Sequence, residues 1–309
     1  MTDATHAQAV LFPGQGSQEK GMGRDLAEAG AEAKQLWIMA EKASGLPLRE
    51  IYWEGEEADM AATRALQPAM TAVTLGLWYR LRGKLAPLGL AGHSLGEFAA
   101  LAASGVLQPA AAIELVALRG RLMDEAGRSS TGKMAAVLKL TQQQTEDLAE
   151  AARRQSQARL HLANYNSPGQ FVLSGEAAAI EAACALARDY KGRAIVLPVS
   201  GAFHSPDMDE ANTEFAKVLA KADFNTPQIP VYLNVTGETA AGPEAVRAAM
   251  GRQMISPVQW IKTMQGMFAA GARDFVELGP KGVLAKLAKA NLEDVQTGQI
   301  STLEAVEAL

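Results

Sequence analysis

The stretch Leu88-Gly89-Leu90-Ala91-Gly92-His93-Ser94-Leu95-Gly96-Glu97-Phe98-Ala99-Ala100-Leu101 decides the fold class. A short apolar run meets a turn of small residues around one serine and passes at once into an alanine-rich stretch. That order predicts a strand, a tight turn and a helix buried on all sides. Glycine two places either side of Ser94 is the spacing of a nucleophile elbow. A serine on so sharp a turn holds strained backbone, and strand and helix then pass too close for side chains at the flanking positions. The helix that follows aims free N–H groups and the positive end of its dipole at the same spot, where an oxyanion beside Ser94 would be stabilised. One G-x-S-x-G among 28 glycines can arise by chance; the strand–turn–helix setting gives it weight.

Upstream, the run Ala9-Val10-Leu11-Phe12 enters the turn-rich Pro13-Gly14-Gln15-Gly16-Ser17-Gln18, a second strand ending in a loop. Helices are predicted over 30–42, 63–85 and from Pro109 to about Ala126. From Met134 the pattern changes: a strand over 134–140, and a helix over 141–155 with Thr141 and Gln144 placed as a capping box. Strands over 161–166 and 170–175 follow, joined by Ser167-Pro168-Gly169, then a helix over 176–190 and a strand over 193–200. Strand–helix–strand–strand–helix–strand is the order of a ferredoxin-like unit, complete in itself. Residues 131–198 are therefore expected to form an inserted small subdomain, with 1–130 and 199–309 as one core. The remainder resumes alternation, with a strand over 229–235, helices over 244–270, a strand over 274–278 and a helix after Gly282. Alternation of that kind predicts a parallel sheet with helices on its faces, an α/β fold.

Composition narrows the function. With 309 residues, 48% hydrophobic, the chain can build a large core, and 34 acidic against 29 basic residues argue against a nucleic-acid or anionic-membrane binder. A single cysteine, Cys184, excludes an internal disulfide framework and thiolate metal clusters; in an apolar helical stretch it reads as a small buried hydrophobe. The four histidines, His6, His93, His161 and His204, show no close metal-ligand spacing. Lacking a basic-then-apolar leader and any apolar run of about 18 residues, the chain is expected to be cytoplasmic, off the membrane, and free of metal or other cofactor.

A serine hydroxyl needs a base. The elbow sends His93 away from Ser94, which assigns it to packing and hydrogen bonding; His6 lies in a polar tail and His161 opens a small-subdomain strand. Elimination leaves His204, in Ser200-Gly201-Ala202-Phe203-His204-Ser205-Pro206, where the chain leaves the small subdomain. No acid presents itself as a third member: Asp207 and Asp209 are too close along the chain, so backbone carbonyls are the expected partners of His204. The amides of Gln15 and Leu95 are candidate oxyanion donors.

These pieces, in order and spacing, resemble the malonyl-CoA:acyl carrier protein transacylases. The resemblance rests on GQGSQ near the start, GHSLGE at Ser94, Arg119 placed 25 residues on, NYNSPGQFVLSG, GAFHS and SPVQW. Gln67-Pro68-Ala69, Met134-Ala135-Ala136-Val137 and Glu277-Leu278-Gly279-Pro280 support it. It spans Val10 to about Leu287 and implies an α/β-hydrolase-like core with the ferredoxin-like insertion. It also implies Ser94 as acyl acceptor, His204 as base and later acid, and Gln15 and Leu95 as the oxyanion hole. Gln253 matches a residue whose backbone carbonyl steadies the histidine, and Asn164 and Asn166 match polar residues near the site's mouth. The family pattern has asparagine where Ser256 stands, a change not expected to disturb the chemistry. Phe203 is in keeping with members that accept unbranched malonyl.

Malonyl differs from acetyl by a carboxylate, and burying that charge without a partner costs several kcal/mol, so its pocket needs a cation. Arg119, mid-helix among Leu115, Val116, Leu118 and Leu122, is the candidate. The expected reaction is ping-pong malonyl transfer from malonyl-CoA to the phosphopantetheine thiol of holo acyl carrier protein in fatty acid biosynthesis, by a monomer. Arg188, Lys191 and Arg193 are a candidate docking patch for the acidic carrier. Three rivals remain: a serine hydrolase or thioesterase using the same pair, a malonyl transferase of malonate decarboxylase or polyketide type, and a non-catalytic scaffold.

Overall fold

The run Ala9-Val10-Leu11-Phe12 is wholly buried because it becomes the middle of a five-stranded sheet. The computed structural model describes residues 7–129, 131–199 and 201–309; His6 and Ser200 lie outside the described residues. The strands there are β1 (Gln8–Phe12), β2 (Pro87–Gly92), β3 (Gly132–Leu138), β4 (Leu160–Ser167), β5 (Gln170–Glu176), β6 (Arg193–Val196), β7 (Val231–Tyr232), β8 (Asp274–Leu278) and β9 (Gln296–Ile300).

The larger sheet has the order β7-β2-β1-β8-β9, every neighbour parallel. Along β1, Val10 and Phe12 face a large cluster with Leu66, Val73, Leu95 and Phe98. Ala9 and Leu11 face a second cluster built on Trp260, Met264 and Phe275. A parallel sheet covered by helices on both faces needs apolar residues at every position of its middle strand, which is why β1 shows no polar alternation. The chain steps outward from β1 through β2 to β7, then crosses back to β8 and β9. Sheets of this kind open a crevice at the carboxyl ends of their strands, near the point of reversal.

The smaller sheet is antiparallel, with the order β4-β5-β3-β6 and two helices, Gln142–Ser156 and Ala177–Leu186. That is the ferredoxin-like arrangement. One face carries Ala135, Val137 and Leu173 against those helices, while Met134, Ala163 and Val172 join the large cluster. The Thr141–Gln144 capping box forms in full. Cys184 is half-buried, packed against the margin of this layer and short of the full burial expected.

Several predicted bounds shift. The strand expected over 229–235 shrinks to β7, since Asn234 leaves the sheet to grip the elbow and Leu233 N–H bonds the carbonyl of Glu238 in a turn. The strand expected over 193–200 ends at Val196. β9 was not expected: its sequence, Gln-Thr-Gly-Gln-Ile, is polar because it forms the sheet's edge.

The elbow glycines are required by contact. A Cβ at Gly92 would stand 2.0 Å from the Gly96 carbonyl carbon, and one at Gly96 2.1 Å from the Phe12 carbonyl oxygen. Gly96→Ala is accordingly expected to cost about 3 kcal/mol or more. Gly169→Ala, where a Cβ meets nothing within 4 Å, should cost less than about 1 kcal/mol. Urea unfolding midpoints check this, and equal midpoints for the two variants would contradict it.

Candidate active site

Ser94 follows β2 directly, at the N-terminal end of the helix Gly96–Ala103. Its φ of 53° is a left-handed conformation that L residues adopt at a cost, and His204 shares it at 56°. Two strained residues meet: Ser94 Oγ lies 2.7 Å from His204 Nε2. The other ring nitrogen, Nδ1, is 3.1 Å from the Gln253 carbonyl and 3.2 Å from the Ser256 carbonyl. Carbonyls only accept, so Nδ1 carries the proton and Nε2 is left to accept from the Ser94 hydroxyl. No carboxylate is needed to set this tautomer. Asp207 is instead engaged by Arg159 at 2.7 Å.

His204 is buried, and that burial, with the charge of Arg119 and then the presence of His93 acting in the same direction, pushes its pKa down to about 3. The bonds to Gln253 and Ser256 oppose the shift and do not reverse it. The imidazole is therefore neutral, a base at rest.

Arg119 is 1% exposed. The helix Pro109–Ser129 can approach the helix Thr63–Leu81 closely because Gly120 sits against the Thr63 carbonyl, where a Cβ would be 2.9 Å away. That contact sets Arg119 beside Gln67. Its Nη1 donates to Gln67 Oε1 at 2.9 Å, its Nε and Nη2 to Gln253 Oε1 at 3.2 and 2.9 Å, and its Nη2 to Ser94 Oγ at 3.2 Å. The Phe98 ring lies 5.9 Å from the guanidinium. Burial lowers the Arg119 pKa to about 10, with Glu97 opposing, so the group stays cationic. A fixed cation thus stands at the nucleophile's oxygen.

The loop after β1 closes the site from another side. Gly14 sits so near the His93 carbonyl that a Cβ would be 2.5 Å from it. Among the described residues no hydrogen bond claims the backbone N–H of Gln15 or of Leu95, which leaves both able to donate to an oxygen beside Ser94. The Gln15 side chain reaches Thr63 Oγ1 at 3.5 Å. A cavity of about 300 Å3 adjoins this loop, lined by Gln15, Ser17, His93, Asn166, Lys286 and Leu287. His93 turns away from Ser94, bonds Asn166 Oδ1 at 2.9 Å and packs on Trp260 at 5.2 Å between ring centres. Asn166 thus borders the cavity, while Asn164 is buried where β4 bridges to Val258. Phe203 is buried and covers Gly201.

Two residues escaped the sequence reading. Asn234 clamps the elbow: its Oδ1 accepts the Ser94 N–H at 2.7 Å, and its Nδ2 donates to the Gly92 carbonyl at 2.6 Å. Glu97 is fully buried, bonded to the Asn234 N–H and to Gln253 Nε2. A lone carboxylate inside a helix expected to be buried all round was the available signal for Glu97. Asn234, an amide within the apolar run Val231-Tyr232-Leu233, was the signal for the other. Among the described residues no group of three or more His, Cys, Asp or Glu could hold a metal, and no helix is long and apolar enough to cross a membrane.

Such a site can take a proton from Ser94, stabilise an oxyanion and hold an acid group on the acyl chain. Comparison with known proteins agrees. The acyl transferase domain family matches residues 10–305. The chain is 35% identical over 304 residues to the malonyl CoA-acyl carrier protein transacylase of Escherichia coli K12, covering 97% of each. It is 38% identical to the acyl carrier protein S-malonyltransferase of Vibrio cholerae, with a TM-score of 0.89 over 97% of this chain and 99% of that one. A malonyl-transacylase solved with a type II polyketide acyl carrier protein superposes with a TM-score of 0.92 at 34% identity, covering 98% of each.

If His204 is held neutral as described, an uncharged fluorophosphonate should label Ser94 at an undiminished rate down to about pH 5, below the ordinary imidazole pKa of about 6.5. Intact-mass labelling kinetics across pH check this. A rate that halves near pH 6.5 would contradict it.

Proposed function

The chain belongs to the acyl transferase family, among the malonyl-CoA:acyl carrier protein transacylases, and from that membership we propose that it moves malonyl from malonyl-CoA to the phosphopantetheine thiol of acyl carrier protein, for fatty acid synthesis. The observation that carries the proposal is the buried Arg119 at 3.2 Å from the nucleophile oxygen. A site for acetyl or a longer alkyl acyl group has nothing on the substrate to pair with a desolvated cation at that place, whereas malonyl brings a carboxylate.

In the proposed cycle His204 Nε2 takes the Ser94 proton as Oγ attacks the thioester carbonyl, and the backbone N–H groups of Gln15 and Leu95 receive the oxyanion. The tetrahedral species collapses, CoA leaves with the proton from His204, and malonyl remains as an ester on Ser94. The malonyl carboxylate lies two bonds beyond the ester carbonyl carbon and pairs with Arg119, which gives up its bond to Oγ and keeps those to Gln67 and Gln253. His204 then deprotonates the carrier's thiol, which attacks the ester, and Ser94 recovers its proton. Phe203 bounds the acyl pocket, Asn166 stands toward its entrance, and Asn164 supports that wall from its buried place on β4. Every group in the cycle comes from one chain and the chemistry draws on these side chains and backbone amides alone; the reading is of a monomer in the cytoplasm working without a cofactor. The exposed Arg188, Lys191 and Arg193, at the edge of the small sheet, suit an acidic carrier.

The test is the substrate ratio. In Arg119→Ala, acylation of Ser94 by malonyl-CoA is expected to fall about a hundredfold or more, while acylation by acetyl-CoA changes less than about tenfold. Rapid-quench intact-mass measurements give both rates. An unchanged malonyl:acetyl preference would refute the clamp.

A further inference from the structure

Glu97 is fully buried in the first turn of the helix behind Ser94, and no step of the proposed cycle uses it. A carboxylate taken out of water at this cost, within the site, calls for an explanation. Its bonds supply one. Oε1 accepts the Asn234 N–H at 2.9 Å, and Oε2 accepts from Gln253 Nε2 at 2.8 Å. The same Nε2 donates to the Ser94 carbonyl at 2.8 Å, and the other end of that amide, Oε1, accepts twice from Arg119.

A glutamine amide has two unlike ends, one that only donates and one that only accepts. Gln253 can meet Arg119 with its oxygen only if its nitrogen finds acceptors on the opposite side. Glu97 has to offer an acceptor there while offering a second one to Asn234, and the ionised carboxylate does both with no donor of its own to misplace. A neutral amide or a protonated acid in its place would turn a donor toward Gln253 or toward Asn234, in a region closed to water.

We propose that Glu97 is a positioning residue for the carboxylate clamp: it fixes the Gln253 amide with its oxygen toward Arg119 and so holds the guanidinium beside Ser94. The proposal rests on the reading of Arg119 as that clamp. Burial raises the Glu97 pKa, and the bonds from Gln253 and Asn234 and then the charge of Arg119 favour the ionised form and limit the rise to about 7. Glu97 touches neither substrate nor His204. The histidine is held by the backbone carbonyl of Gln253, which an amide flip leaves in place.

Glu97→Gln preserves shape and removes one acceptor. The expected result is a drop of about tenfold or more in kcat/KM for malonyl-CoA, the worth of one charge-assisted hydrogen bond, expressed mainly in KM. Acetyl-CoA acylation and fluorophosphonate labelling of Ser94 should change by less than about threefold. Gln253→Leu deletes the amide but keeps the backbone carbonyl, and should lower the malonyl:acetyl ratio likewise; it carries the test if Glu97→Gln does not fold. In an Arg119→Ala background, Glu97→Gln should leave the ratio where Arg119→Ala set it. A ratio within about twofold of wild type in either folded variant, or equal losses for both substrates, would overturn the role given to Glu97. If Arg119→Ala itself leaves the ratio intact, the clamp fails first, so the two failures are distinguishable.

Discussion

One buried cation organises this molecule. Arg119 has been carried out of water into a helix interior, and an unpaired guanidinium there would cost several kcal/mol. Its surroundings are accordingly acceptors: the amide oxygens of Gln67 and Gln253, the Ser94 hydroxyl, and the charge of Glu97 beyond them. In the proposed cycle the cation pairs with the malonyl carboxylate, and its charge adds to the burial that holds His204 neutral. The same side chain therefore bears on the proposed substrate recognition and, second to burial, on the resting state of the base.

A second constraint is the short segment Ser256-Pro257-Val258-Gln259-Trp260, which joins parts far apart in the chain. The Ser256 carbonyl receives His204, and Val258 exchanges backbone bonds with Ala163 and Tyr165 on the small sheet. Gln259 N–H bonds the Asn234 carbonyl, and Trp260 packs on His93. The small sheet is thereby tied to the core at the point where the histidine is oriented. The contact at position 256 is made by the backbone carbonyl, so it does not depend on the serine side chain.

Much of this was legible in the sequence where local physics decides. The elbow glycines, the capping box at Thr141 and the strand Asp274–Leu278 follow from sterics, hydrogen-bond reach and apolar pattern within a few residues. The edge strand β9 was not legible, since its polar residues lack any burial signal. The shortening of β7 was hidden for another reason: Asn234 leaves the ladder to hold Ser94, a contact 140 residues away in sequence. The partners of Nδ1 on His204 are backbone carbonyls, which every residue possesses, so composition cannot mark them. Gln253 entered the reading through its carbonyl, and its side chain proved to bridge Arg119, Ser94 and Glu97.

Passage of a malonyl group through Ser94 under the hold of Arg119 is tested most directly by intact-mass analysis of the wild-type protein. Mixing with malonyl-CoA should leave one malonyl ester, mapped to Ser94, that persists in water and is discharged when holo acyl carrier protein is added, with the carrier gaining the group. An adduct on another residue would contradict the account, as would none at all, or release of free malonate at the same rate with and without the carrier.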